Sequence, residues 1–382
     1  MKNANTAPAM LRFLAIICLF AGCSPQQAKS KQQAAADAPR AGAVSAIASM
    51  MARRAAHTAT LLDSGQVLIA GGFVGYGGSL SSTELFNPAI NAFRSSPNMG
   101  ASRVSHTATR LRDGKVLIAG GYDGDYLSSA ELYDPATNRF RSIAPMTLAR
   151  SGHSATLLSD GKVLLTGGTG KNWTFLPDAE LFDPQTNSFT RTSMMKVARE
   201  SHTANLLTDG RVLVAGGHAG RRPSVRIHAS AEIYDPTTGR FFAAGDMTRI
   251  RHKHESTLLR DGRVLITGGS DERDGRGAYV TAEIYDPRSG DFAVAGDMQL
   301  ARYKHQGTSV LLSDGKVLIA GGANRAEIFD PVRNAFSYAA GHLGTNRYYA
   351  TATRLRDGRV LILGGYDDSN AASGRAWVFQ RP

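Results

Sequence analysis

From about residue 50 the chain cycles through one pattern of polar and apolar positions, clearest in RSGHSATLLSDGKVLLTGG at 150–168 followed by AELFDPQTNSF at 179–189. The segment HSATLL predicts a short strand. The Asp-Gly that follows supplies the left-handed residue of a tight hairpin, at Gly114, Gly161, Gly210, Gly262, Gly315 and Gly358. KVLLTGG is a continuous apolar run, the mark of a strand buried on both faces. A variable loop comes next. Ala-Glu-Leu-Phe-Asp-Pro then reads as a third strand ended by a proline turn, and a Phe at 93, 140, 189, 242, 292 and 336 marks a fourth.

The Gly-Gly pair sets the period. It begins at Gly71, Gly120, Gly167, Gly216, Gly268, Gly321 and Gly364, with spacings of 49, 47, 49, 52, 53 and 43 residues. Seven units of four antiparallel strands predict an all-β, seven-bladed propeller. The seventh unit stops after three strands, at Ala376-Trp377-Val378-Phe379-Gln380, where the Glu and Asp-Pro of the pattern are replaced. Setting Arg54 on Arg150, an offset of 96, places Val44–Ile47 on Phe140–Ile143 and Met50 on Met146. Residues 43–48 are therefore expected to form the outer strand of the last blade, beside Arg375–Phe379, so that an N-terminal strand closes the ring. The repeat resembles the kelch superfamily over about residues 42–382. That resemblance implies a seven-bladed β-propeller and a binding platform, and no single function.

The first 22 residues have a different character. Lys2 and Arg12 precede an apolar run from Phe13 to Phe20, and Leu19-Phe20-Ala21-Gly22-Cys23 resembles a bacterial lipobox. The expectation is a signal peptide at 1–22, lipidation of Cys23, and a Gln-, Ala-, Ser- and Lys-rich tether at 23–41 ahead of the propeller at 42–382. The resemblance implies an exported protein held in the bacterial cell envelope by its lipid, and Ser24 after the Cys resembles the outer-membrane sorting signal of a Gram-negative host.

Composition changes this picture little. The chain has 382 residues, a formal charge of +12 and two Cys, with no basic run of five residues or more and no zinc-finger cysteine pattern. Nucleic acid is not an expected partner. A closed ring without exposed sheet edges is expected to be a monomer, and no residue pattern asks for a cofactor.

A residue type that recurs in every unit serves the blade, and function is sought where the repeat breaks. The pairs Arg54/His57, Arg103/His106, Arg150/His153, Arg199/His202 and Arg251/His254 sit at the start of strand one, with Gly307 and Ala350 at the His position of units six and seven. They read as scaffold, as do Glu84, Glu131, Glu180, Glu232, Glu283 and Glu327. The loops after Gly-Gly are longest in units four and five and shortest, at 323–325, in unit six. Unit four's loop, HAGRRPSVRIHAS, carries Arg221, Arg222 and Arg226 with no acid, and Arg249, Arg251, His252 and Lys253 follow on the connection to unit five. Arg221, Arg222, Arg226 and Arg251 are expected to line one groove that takes an acidic protein or an anionic glycan, with Trp173 and Tyr279 as stacking surfaces at its margins. A non-catalytic binding role is the leading reading. The alternative is similarity to the kelch-type sialic acid mutarotase, with Glu272, Asp274 and Arg276 as the acid and base group. Galactose oxidase, the copper enzyme of the superfamily, requires a Tyr-His pair before a strand and a Cys crosslinked to Tyr. The nearest segment here, Arg347-Tyr348-Tyr349-Ala350, has Ala at that His.

Overall fold

The computed structural model describes residues 42–75 and 78–381. The expected signal peptide at 1–22, Cys23 and the expected tether lie outside the described residues. Seven four-stranded antiparallel sheets make the seven blades, each with its strands in chain order except the last. Their innermost strands are Thr58–Leu61, Thr107–Arg110, Ser154–Leu157, Thr203–Leu206, Glu255–Leu258, Ser309–Leu311 and Tyr348–Arg354. In the last sheet the order is Ala43–Ile47, Ala376–Gln380, Val360–Tyr366, Tyr348–Arg354, so the N-terminal strand supplies the outer edge as the repeat alignment requires. Val44 faces Phe379 and Ala46 faces Trp377 in that ladder.

In blades one to six the second strand is buried at every position, and it is apolar except for Thr166 and Thr267 at its end in blades three and five. The cores lie between blades. Leu117, Ala119 and Leu132 of blade two, for instance, pack with Val163, Leu165 and Phe182 of blade three. Gly-Gly recurs because the first glycine has no room for a side chain: at Gly71, φ is +63° and a Cβ would lie 2.5 Å from the Arg103 carbonyl of the next blade.

The repeated polar residues hold the blades together. Arg54, Arg103, Arg150, Arg199, Arg251 and Arg302 are fully buried, and each meets the Glu of its own blade at 2.7–3.0 Å. The same guanidinium donates to the first carbonyl of the Gly-Gly pair, as Arg54 Nη1 does to Gly71 at 2.8 Å. Each His reaches into the preceding blade, with Nε2 of His106, His153, His202, His254, His305 and His57 hydrogen-bonded to Thr58, Thr107, Ser154, Thr203, Thr267 and Thr351. Unit six corrects the expected alignment. Arg302 and His305 play the Arg and His roles there, and two extra residues, Gln306 and Gly307, precede the strand. The insertion moves Thr308 so that its N–H donates to Glu255 at 3.1 Å, which explains an acid where blades one to four carry Thr or Ser.

Candidate functional site

At the start of each innermost strand, between Arg and His, two residues turn across the axis. The second of each pair is Ala56, Ser105, Gly152, Ser201, Lys253, Lys304 or Tyr349, all with φ between +49° and +64°. The N–H of each donates to the carbonyl of its predecessor around the axis, and Ala56 closes the circle on Tyr349, at 2.7–3.3 Å. This ring of seven backbone hydrogen bonds brings together side chains that are about 50 residues apart in sequence. On blades one to three they are small. On blades four to seven they are Glu200, His252, Lys253, Tyr303, Lys304, Tyr348 and Tyr349, and there the repeat breaks.

A cleft of about 380 Å³ opens on this side, lined by Trp173, Phe175, Glu200, His218, Arg221, Arg222, His252, Lys253, Glu272 and Asp274 among others. Its outer wall is the loop of blade four, a two-stranded ribbon pairing His218–Ala219 with Arg226–Ile227. The Arg221 guanidinium stacks 3.7 Å over the half-exposed Trp173 ring. Arg222 leans toward blade five, donating to the Glu272 carbonyl and lying 3.8 Å from Asp274.

The floor is a chain of titratable groups. His218 and His252 share a hydrogen bond between their Nδ1 atoms at 3.2 Å. The other nitrogen of His252 faces Asp274 at 3.5 Å, and that of His218 faces Glu200 at 3.8 Å. Asp274 accepts from Lys253 Nζ at 2.6 Å. Partial burial alone would raise the Asp274 carboxyl, but the hydrogen bond and charge of Lys253 outweigh it and hold the group below the usual range. Burial brings His218 down to about 4 and His252 down to about 3, with the Lys253 charge adding to both, so the two rings are neutral at pH 7. The tautomer that keeps a lone pair away from the Asp274 carboxylate has His252 Nε2–H toward Asp274 and His218 Nδ1–H donating to His252. The His218 Nε2 lone pair then points at Glu200, which suits a protonated acid there. Burial indeed pushes the Glu200 carboxyl up, against a hydrogen bond from Thr169 Oγ1 at 2.7 Å and the charge of Lys253. Glu200 owes its position to Gly152, where a Cβ would come within 2.5 Å of Oε1.

Next to the cleft, Lys304 Nζ donates to Tyr366 Oη at 2.7 Å and lies 5.1–5.9 Å from the ring centres of Tyr303, Tyr349 and Tyr366. Burial pushes the Tyr366 phenol up to about 12. Behind the ring the axial cavity, about 520 Å³, is lined by the innermost strands and contains two acids, Glu200 and Glu255.

The structure divides the expected groove residues. Arg221, Arg222 and Trp173 line the cleft together with His252 and Lys253. Arg251 does not: it is the buried scaffold arginine of blade five, held by Glu283 at 2.8 Å. Arg226 is exposed on the ribbon and Tyr279 stands beside Arg249 and Arg251, both away from the cleft lining. Of the alternative acid and base group, Glu272 and Asp274 line the cleft while Arg276 points outside it. Glu200, His218, Lys304 and Tyr366 were not singled out in the sequence. The signal for Glu200 and Lys304 was present, since both break the residue pattern between Arg and His.

The kelch motif family matches residues 103–147, from the scaffold arginine of blade two to the connection after its fourth strand. The chain is a seven-bladed propeller, and one of its repeats matches the kelch motif. No curated protein matches it. Among solved structures, the propeller is similar to a fungal alcohol oxidase of the AA5 family determined in complex with copper, with a TM-score of 0.73 and 17% identity over 89% of this chain and 76% of the oxidase. At that identity the likeness shows the fold.

The donor set near the axis does not fit a copper centre. The phenols of Tyr303, Tyr349 and Tyr366 surround an ammonium, Lys304, and the nearest His pair spends its Nδ1 atoms on each other. Among the described residues no three His, Cys, Asp or Glu side chains converge as a metal-holding group.

Proposed function

We propose that this kelch propeller is an envelope-anchored binding protein whose loop face takes an acidic glycan in the cleft of blades three to five. The observation that carries the reading is the pairing of ring-stacking and cationic surfaces in one cleft: Trp173 under Arg221 at its mouth, Phe175 on its wall, and Arg222 and Lys253 beside them. Aromatic faces suit sugar rings, and guanidinium groups offer two-point contacts to a carboxylate or sulfate. Cys23 is the proposed lipid attachment, and Cys23→Ala is expected to abolish lipid labelling and release the protein from membranes. Unmodified Cys23 in the mature protein contradicts that part.

The ligand is tested with an array of neutral and acidic oligosaccharides on the full chain. Acidic members bind, and affinity drops as salt rises, because exposed charges are screened beyond about 8 Å at physiological ionic strength. Trp173→Ala and the Arg221→Ala/Arg222→Ala pair each lower affinity about tenfold or more, equivalent to about 1.4 kcal/mol. Binding that ignores both salt and these substitutions overturns the reading. A second reading is favoured by one observation, the Glu200–His218–His252–Asp274 chain, in which one carboxyl is pushed up and the other down, as an acid and a base need to be. It predicts that the protein alters the anomeric ratio of an acidic sugar and that Glu200→Gln abolishes this while leaving binding intact.

A further inference from the structure

Six of the seven scaffold arginines end on a carboxylate, and the seventh does not. In blades one to six the residue opposite the third position of the second strand is Glu84, Glu131, Glu180, Glu232, Glu283 or Glu327. In blade seven the same ladder position, opposite Ile362, is Trp377. Arg347 begins that blade as Arg54 begins the first, and at 4% exposure it is nearly as buried. Its guanidinium lies 5.2 Å from the centre of the Trp377 ring instead of on a carboxylate. Its hydrogen bonding is poor: Nη2 reaches the Leu343 carbonyl only at 3.5 Å, and Nε, as in Arg103, Arg150 and Arg302, has no partner among the described residues. A π face supplies part of the missing attraction, but it accepts no in-plane N–H.

A second guanidinium comes to the same point. A Cβ built on Gly344 would lie 3.2 Å from Arg375 Nη1 and 3.9 Å from Arg347 Nη2, so the two cations converge on a residue without a side chain, in the connection between blades six and seven. Burial, and then the charge of Arg375, hold Arg347 below its ordinary value, with Asp367 opposing. Asp368, the neighbouring acid, is already engaged by Tyr348 Oη at 2.8 Å and by the Asn346 amide. The loop of blade six, only residues 323–325, lies against this connection, the Asn324 carbonyl accepting from the Leu343 N–H at 2.7 Å. Arg375 is exposed, which gives an incoming group a path.

We propose that Arg347 and Arg375 form an oxyanion site at the junction of blades six and seven, which takes a carboxylate or a phosphate where the other six blades carry their own glutamate. The site is separate from the cleft of blades three to five, and a ligand that spans the loop face meets both. Two N–H forks on a planar or tetrahedral anion satisfy guanidinium donors that meet no carboxylate among the described residues.

The test is thermal unfolding of the full chain in sodium phosphate, in sodium glucuronate and in sodium chloride at matched ionic strength. Melting temperature rises with the concentration of phosphate, glucuronate or both over the chloride control, and the arm that responds names the anion class. Arg375→Gln, a surface change compatible with folding, weakens that response at least tenfold in concentration. Trp377→Glu restores the carboxylate of the repeat, fills the site from within and abolishes the response. The comparison is repeated in the Arg221→Ala/Arg222→Ala background, which removes the contribution of the cleft, and the part of the response that Arg375→Gln and Trp377→Glu remove is still present there, which separates this site from the cleft. A parent protein indifferent to both anions, or a response that survives in both Arg375→Gln and Trp377→Glu, overturns the proposal.

Discussion

Lowering the pH from 7 to 5 is expected to unfold the propeller through its six interblade histidines. Burial brings His57, His106, His202 and His305 down to about 3, with the adjacent scaffold arginine adding to the effect, and it takes His153 and His254 well below their ordinary value. The geometry agrees: each Nε2 is used by a hydroxyl of the neighbouring blade, and each Nδ1 is buried without a partner, so a second proton has nowhere to be shared. A folded-state value below the unfolded one of about 6.5 means that this stability is complete above pH 6.5 and is lost as the pH falls toward 3. In that window the unfolded chain takes up six protons that the folded chain refuses. Each one costs about 1.4 kcal/mol per pH unit once the pH is below the unfolded value, which integrates to about 2 kcal/mol per histidine and about 11 kcal/mol for six between pH 7 and 5. Domains of ordinary stability hold about 5–15 kcal/mol in total. Urea unfolding followed by tryptophan emission at several pH values gives the slope directly. His106→Asn should reduce it by about one proton. An unfolding free energy that stays flat from pH 7 to 5 refutes the argument that these rings are forced to remain neutral.

Three further outcomes follow from packing and charge. Removing residues 42–49 takes Val44 from its contacts with Trp377 and Phe379 and strips five ladder positions from Ala376–Gln380, so the melting temperature should fall clearly; an unchanged value contradicts the closing role of this strand. Arg150→Met leaves Glu180 buried without its counter-ion and should cost about 3–5 kcal/mol in urea unfolding, whereas a loss under 1 kcal/mol shows that the pair is dispensable. Gly152→Ala forces a Cβ against Glu200 at φ +64° and should cost about 1–3 kcal/mol, and Glu200→Ala in the same chain should recover part of it; additive losses show that the two residues are not coupled.

The repeat was legible because every blade solves one physical problem with the same residues. A strand buried on both faces must be apolar, and a buried arginine needs its glutamate. The closing strand could be read from its register because Val44 and Met50 fall in step with Phe140 and Met146. Blade six was read two residues out of place, since Gln306 and Gly307 displace His305 from the count backward along the strand. The groove reading includes Arg251 although its counterparts in four other blades mark it as scaffold. Glu200, Lys253, Lys304 and Tyr349 come from four different repeats, and only the ring of backbone hydrogen bonds around the axis makes them neighbours. His218 joins them through the ribbon of blade four, whose fold no periodicity announces.

The cleft of blades three to five is tested most directly by its own tryptophan. Of the two tryptophans in the chain, Trp377 is 3% exposed and Trp173 is 49% exposed at the cleft mouth. Titration of the full chain with an acidic oligosaccharide that scores on the array should produce a saturable change in emission that shrinks as salt is added and vanishes in Trp173→Phe. Saturable binding with the emission of Trp173 unaltered, or an equal change in Trp173→Phe, places the ligand elsewhere and contradicts the account.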